Sequence, residues 1–506
     1  MKKIVMIPLD DRPCNYNYPK LLPTEDYEII LPDKKIMPYH KQEGNHQELE
    51  KWLLANILES DACILSMDTL IFGGLVPSRL HHYSYVELID RLNVIKKIKE
   101  INPNIKLLGF ELIMRCPDYS SDAEEPTYYK DCGYEIHKLG ELRHLKSLGK
   151  CTSSELEEIE RLESFIKEDY LSDYLQRRET NLKILLETLK LVNDGYFDYF
   201  IVPQDDASVY GFTALDQIKV RNYIKDNILH TKVSMYPAAD DVGITLIARA
   251  ISLCNNIKPK VYVKYASPKA FTCIPWFEDR MQDETIKYHI LSVNGIRVYS
   301  IEECDIVLCV NMTSKMCNKD DSDFSLVYDI ERNLSEFISY IKYALSMNKV
   351  VSVCDTAYCK GSDTEFVKLL EKEDLLLQVS TYAGWNTSSN TIGTALGSSV
   401  LYFFGRNEES RIKFLIYRYY EDYAYMAYAR SYVSENILPK YELDYFDLKD
   451  KNKNISEYVK EEIKKVIDKD LNKLTKYVKD INIIMPWNRM FECELEIIFN
   501  KMSSLV

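Results

Sequence analysis

The 506-residue chain is 46 % apolar and carries a net charge of −14, which is enough apolar side chain for one large core with an appendage, or for two to three smaller cores. An acidic balance of this size excludes a general nucleic-acid or anionic-membrane surface, because phosphate recognition needs a clustered positive field. The Lys-rich runs at 96–99 and 451–465 alternate with acids in helix-like sequence and read as solvated faces.

The N-terminal apolar run after Lys2 and Lys3 meets Asp10, Asp11 and Arg12 too soon for a signal peptide. No stretch reaches the roughly 20 apolar residues that a spanning helix requires. The chain has 13 cysteines and no CxxC pair, and many of them sit inside apolar runs. This pattern reads as reduced core thiols. The expected setting is cytoplasmic, with a small-molecule or oligosaccharide substrate, no nucleic-acid or membrane partner, and an oligomeric state that the sequence does not address.

Five stretches run apolar and β-branched and then break into acids, Arg or Asn. They are Lys3–Pro13, Ala62–Asp68, Tyr199–Asp206, Val233–Asp241 and Leu377–Asn386. A core strand needs only the apolar half of each, so the polar half points to a ligand across the carboxyl ends of a parallel sheet or barrel. Further strands are expected at Lys106–Met114, Val261–Tyr265, Ile306–Val310 and Val350–Cys354, with helices between them, as at Val86–Ile98 and 324–347. Strand, helix, strand order implies parallel pairing by crossover.

Two segments interrupt this rhythm. Residues 117–195 begin with a polar stretch and continue as charged helical sequence, a helical insertion suited to a lid or substrate wall. From 405 onward the pattern is helical with dense Tyr and Lys. The expected organisation is an α/β catalytic domain at 1–404 and a C-terminal helical region at 405–506. A (β/α)-barrel-like core is the first expectation, and two doubly wound α/β domains meeting at a cleft are the alternative.

Asp205 and Asp206 are the expected catalytic pair. Adjacent carboxylates point different ways, so one can protonate a leaving group while the other orients a second atom, and crowding raises the pKa of at least one. In the competing reading one Asp caps the helix beginning near Phe212 and the other hydrogen-bonds the turn. Asp240 and Asp241 precede an apolar helix and invite the same two readings. Asp10, Asp11, Arg12 and Asn15 form a third polar cluster, in which Arg12 could serve a ligand or lock the loop.

Asp68 heads a run with paired glycines that returns a positive charge at Arg79, and Arg115 follows the strand containing Glu111. Both arginines suit bidentate recognition of a carboxylate, a phosphate or a catalytic Asp. Tyr210, Trp385, Asn386 and Asn390 complete the expected substrate contacts. A Trp face can stack on a sugar while amides hold its hydroxyls, or Trp385 can simply pack in the core. The eight histidines form no HExxH or i, i+4 pair, so no metal site is assigned and no cofactor is expected. A divalent cation held by carboxylates alone is the open alternative. GxSxG, P-loop and Rossmann glycine motifs are missing from the sequence.

Pro8–Pro13, Asp68–Arg79, Pro203–Gly211, Pro237–Gly243 and Ala383–Thr387, together with Pro486–Arg489, resemble one bacterial family of unknown function whose members open on a PLDDRP-like motif. Consecutive aspartates at a strand end also resemble those of O-GlcNAcase-like glycoside hydrolases, in which the substrate's acetamido group is the nucleophile. That resemblance implies that Asp205 orients the acetamido group and Asp206 protonates the leaving group. The expected function is a glycoside hydrolase acting on a small glycan or glycoside, with N-acetylhexosaminides among the candidates. The rivals are a carboxylate-metal hydrolase or lyase and a non-catalytic sugar or amino-acid binding protein.

Overall fold

The computed structural model describes residues 1–21, 26–313 and 331–501. Its core is two separate parallel sheets. The first contains β1 (Lys2–Ile7), β2 (Tyr27–Ile30), β3 (Ala62–Ser66), β4 (Lys106–Phe110), β5 (Tyr199–Gln204) and β6 (Val233–Pro237), in the order β2-β1-β3-β4-β5-β6. The second contains β7 (Lys260–Tyr265), β8 (Ile296–Arg297), β9 (Ile306–Asn311), β10 (Val350–Asp355) and β11 (Thr381–Ala383), in the order β11-β10-β9-β7-β8. Counted from its own first strand, each sheet runs 2-1-3-4-5, and the first adds a sixth strand at its edge.

Neither sheet closes, so the expected barrel is not found. A βα unit has the same local pattern in a barrel and in an open sheet, because closure depends on how the first and last strands meet. Here β2 and β6 are edges, and the chain leaves β6 through the apolar helix Val242–Cys254 to begin a second sheet. The helix expected at 324–347 is found as Leu334–Ser346, and the first part of the expected range lies outside the described residues.

Strand alternation sorts the first sheet into two faces. Ile4, Met6, Ile64, Leu108 and Ile201 point into one core. Val5, Ile7, Cys63, Leu65, Leu107 and Phe200 point into another, beneath the helices His46–Asn56, Tyr85–Leu92 and Val94–Ile101. Each such side chain contributes about 1.5–3 kcal/mol on burial. The first core continues without a break into Val307, Leu308, Val351 and Val353 of the second sheet. Helices Val242–Cys254 and Ser388–Gly405 make the join. A Cβ on Gly393 would fall 1.8 Å from Asp241 Oδ2, so only glycine permits this approach.

The insertion is three helices, Tyr129–Ser147, Ser153–Phe165 and Glu168–Asn193. The first two pack on Tyr174 of the third around Ile136, Leu139, Ile159 and Leu162. The third returns Leu185 and Leu189 to the first sheet. The C-terminal region departs from the all-helical expectation. After Glu408–Arg418, the π-helical Tyr419–Ala429 and Asn452–Asp470, it ends in an antiparallel pair, β12 (Val478–Ile484) and β13 (Glu494–Phe499). Ile481 and Ile483 alternate inward between exposed neighbours, a period-2 signal too short to stand out beside the long helix before it. Among the described residues no helix is long and apolar enough to cross a membrane.

Candidate active site

The carboxyl ends of both sheets open onto one cavity of about 590 Å³. The first sheet contributes Arg12 after β1, Arg79 after β3, Arg115 after β4, Gln204, Asp205 and Asp206 at the end of β5, and Asp240 after β6. The second contributes Trp276, Phe277 and Glu278 after β7, Thr356 after β10, and Asn386, Ser389 and Asn390 after β11.

Asp205 and Asp206 are not helix caps. The helix Phe212–Asp226 begins at Gly211 with no capping side chain. Asp205 instead accepts a hydrogen bond from Arg79 Nη2 at 2.8 Å, and Asp206 from Arg115 Nη1 at 3.2 Å. Asp206 has φ 46°, in the left-handed region that Asp tolerates better than most residues, and the two carboxylates are hydrogen-bonded to different arginines, with Arg115 also 4.0 Å from Asp205. Burial, followed by the charge of Asp206, pushes the Asp205 carboxyl up, against the pull of Arg115 and Arg79.

Glu124 and Glu125, from the polar stretch before the insertion helices, hold these arginines in place. Arg79 Nη1 donates to Glu124 at 3.0 Å and to Glu125 at 3.3 Å, while Arg115 donates to Glu124 at 2.9 Å and to Glu125 at 2.8 Å. Arg489, from the far end of the chain, also donates to Glu124. Burial alone would raise Glu124, yet Arg489, Arg115 and Arg79 hold it well below the usual carboxylate range. Nothing in the sequence singles out Glu124 or Glu125 individually, because their segment has no periodicity.

Arg12 is locked as the N-terminal cluster allows. Its guanidinium donates to Asp10 at 2.7 and 2.9 Å and to Asp240 at 2.6 and 3.3 Å, and Asn15 bridges the same two carboxylates at 2.9 and 3.0 Å. Arg12 and Asp240 line the cavity, whereas Asp10 and Asn15 stand behind them. Asp11 turns away to accept Trp487 Nε1 at 2.9 Å, and burial beside Asp10 pushes it up to about 6. Asn390 lines the cavity and accepts from the backbone N–H of Ala239 and Asp240, which fixes the loop carrying Asp240.

Several expected contacts lie elsewhere. Asp68 is buried below the cavity, accepting from Leu112 N at 3.0 Å, and burial pushes it up to about 7. Asp241 is fully buried and accepts from Thr245 Oγ1 at 3.2 Å, and burial raises it to about 8. Tyr210 meets Lys150 at 3.3 Å, outside the cavity lining. Trp385 is 3 % exposed, packs edge-on to Tyr18 at 5.5 Å and donates to Thr394 Oγ1 at 3.2 Å. It is a core residue and offers no face to a sugar. The tryptophan that lines the cavity is Trp276.

Glu278 is the residue that sequence reading missed with the greatest chemical consequence. It lines the cavity and accepts from Ser389 N at 2.7 Å and Thr285 Oγ1 at 3.3 Å, and burial pushes it up to about 8. Burial thus favours its protonated form. Its position in an irregular loop between Phe277 and Asp279 carries no strand-end signature. Among the described residues no three His, Cys, Asp or Glu side chains are placed to hold a metal ion, and the cavity's aspartates face arginines.

The polar strand ends, and the Pro486–Arg489 segment that brings Arg489 to Glu124, all fall within a single family match. A family model described as "Protein of unknown function (DUF4127)" matches residues 4–496. The chain belongs to this DUF4127 family. The match spans both sheets, the insertion and nearly all of the C-terminal hairpin, so the cavity as a whole lies within the DUF4127 region. No curated protein matches the chain.

Proposed function

We propose that this protein is a glycoside hydrolase acting on a small glycan or glycoside. The supporting observation is that one cavity is lined by carboxyl groups in two settings. Asp205 and Asp206 are ion-paired with Arg79 and Arg115, and Glu278 is buried without an ion pair among the described residues, a setting that raises its carboxyl to about 8. Glycosidic cleavage needs such a division, with one carboxylic acid to protonate the departing oxygen and one carboxylate to act as base, nucleophile or orienting group.

In this reading Glu278 gives its proton to the glycosidic oxygen. Asp206 serves the charged role, Asp205 orients the sugar or its acetamido group, and Arg79 and Arg115 hold both aspartates in position. Trp276 and Phe277 supply flat apolar surface for a sugar ring, the part first expected of Trp385. Asn386 and Asn390 bring amides to the same wall. The orienting role of Asp205 toward an acetamido group rests on resemblance, while the proton donation that the same resemblance implies for Asp206 passes to Glu278 in this proposal.

A binding protein with two α/β lobes is the second reading, favoured by the shared strand order of the two sheets. The continuous core through both sheets weighs against it, because lobes that clamp a ligand need a hinge. The deciding experiment is hydrolysis of a panel of aryl glycosides, including N-acetylhexosaminides, by wild type, Asp205→Ala, Asp206→Ala and Glu278→Gln, with and without chelator. Turnover that survives chelator and falls about 100-fold or more in the variants supports the proposal. Silence across the panel, or turnover indifferent to all three substitutions, overturns it.

A further inference from the structure

The four arginines Arg12, Arg79, Arg115 and Arg489 each lie within 3.3 Å of at least one carboxylate, so their charge is spent inside the protein. Two further cations line the same cavity on different terms. Arg430 donates from Nη1 to the carbonyl of Phe491 at 3.0 Å and from Nη2 to the carbonyl of Lys360 at 2.6 Å. These partners fix the plane of the guanidinium and leave its charge uncompensated. Lys360 lines the cavity and is exposed, and among the described residues neither it nor Arg430 forms an ion pair. Glu435 stands on the same wall without pairing with either.

The backbone that carries this pair is closely packed. Gly361, directly after Lys360, has φ +147°, and a Cβ there would lie 2.7 Å from Ala427 N and 2.8 Å from Met426 C. The loop after β10 is therefore pressed against the π-helical turn that leads into Arg430. A guanidinium has five N–H donors, and two carbonyls occupy only two of them. The remainder suit an oxyanion held in a defined orientation, and Lys360 brings a second cation to the same cavity.

We infer that Arg430 and Lys360 form a subsite for an oxyanion carried by the substrate, so that the protein acts on an acidic sugar, a carboxylate- or phosphate-bearing glycoside, in preference to a neutral one. This rests on the cavity being the substrate site, as proposed above. The anion would enter beside the β10 loop and leave the sugar ring for the aspartates and Glu278.

The test reads binding, which needs no turnover. Inorganic phosphate, D-glucuronate, D-glucose 6-phosphate and D-glucose are titrated calorimetrically into the full chain at constant ionic strength, using wild type, Arg430→Gln and Lys360→Gln. The expected result is saturable binding of at least one anion, weakened about tenfold or more in each variant. Preference among the anions separates a carboxylate from a phosphate. No saturable anion binding, or binding that survives both substitutions, overturns the inference. Anion binding without hydrolysis of any glycoside keeps the subsite and removes the hydrolase. Hydrolysis of neutral glycosides without an anion effect does the reverse.

Discussion

The two parallel sheets share a strand order, yet their carboxyl ends carry different chemistry. The first sheet ends in charge, with Arg12, Arg79 and Arg115 laced to Asp205, Asp206, Asp240, Glu124 and Glu125. The second presents to the cavity a buried acid, hydroxyls, amides and aromatic rings, through Glu278, Thr356, Ser389, Asn390 and Trp276, and its single cation, Lys360, stands outside any ion pair among the described residues. Its own acids, Asp355 and Asp363, are turned inward to Asn311, and Asp363 caps the helix Thr364–Lys372. Equal topology thus leaves the division of labour to the residues that follow each strand. One edge holds fixed charge, and the other shapes and protonates.

The sharpest way to break this contrast is to remove an arginine from the charged edge. Arg79→Ala removes the hydrogen-bonded partner of Asp205 and one of the two arginines on Glu125, and a cost of about 3–5 kcal/mol is expected in chemical denaturation. Removal of the proton from the other edge comes next. Glu278→Gln should lower turnover about 100-fold or more with the fold intact. The wild-type rate should fall as pH rises past about 8, the value to which burial lifts Glu278, and that limb should vanish in the variant.

Asp241 gives the contrast a thermodynamic form. Burial raises its carboxyl to about 8, above the ordinary value of 3.8, so between those pH values the folded chain binds a proton that the unfolded chain has released. Stability therefore falls as pH rises through that window. Asp241→Asn should shrink the loss between pH 5 and pH 8 by about 1–3 kcal/mol, read from urea midpoints at the two pH values. The tryptophans separate the edges further. Trp276→Ala should raise KM several-fold with little change in melting temperature, whereas Trp385→Phe should cost about 1–2 kcal/mol and leave KM alone. The smallest effect is expected at Tyr210→Phe, within about 0.5 kcal/mol and without loss of activity.

The strand ends were legible because an apolar run that breaks into acids has no use for them in its own core. That signal located Asp205, Asp206, Asp240, Arg12, Arg79 and Arg115, all of which line the cavity. It could not separate members of a pair. Asp240 and Asp241 look alike in sequence, and the approach of Gly393 places the second among core residues. Trp385 looked like a sugar platform because it follows a strand, but the buried helix Ser388–Gly405 covers it and Thr394 satisfies its indole. Trp276 and Glu278 were illegible, since an irregular loop has no period. The barrel expectation failed for a related reason. Local patterns record each βα unit, while the choice between closing a sheet and opening a second is made by contacts hundreds of residues apart.

The bond between Arg489 and Glu124 joins residues 365 positions apart, and Trp487 beside it lays its ring 4.7 Å from the guanidinium of Arg12. These partners leave the ribosome far apart in time. Until residues 487–492 are made, Glu124 lacks one of its arginines and Arg12 its aromatic cover, however well the first sheet has folded. The cavity is thus completed by its last-made wall, and a growing chain holds both sheets before it holds a working site.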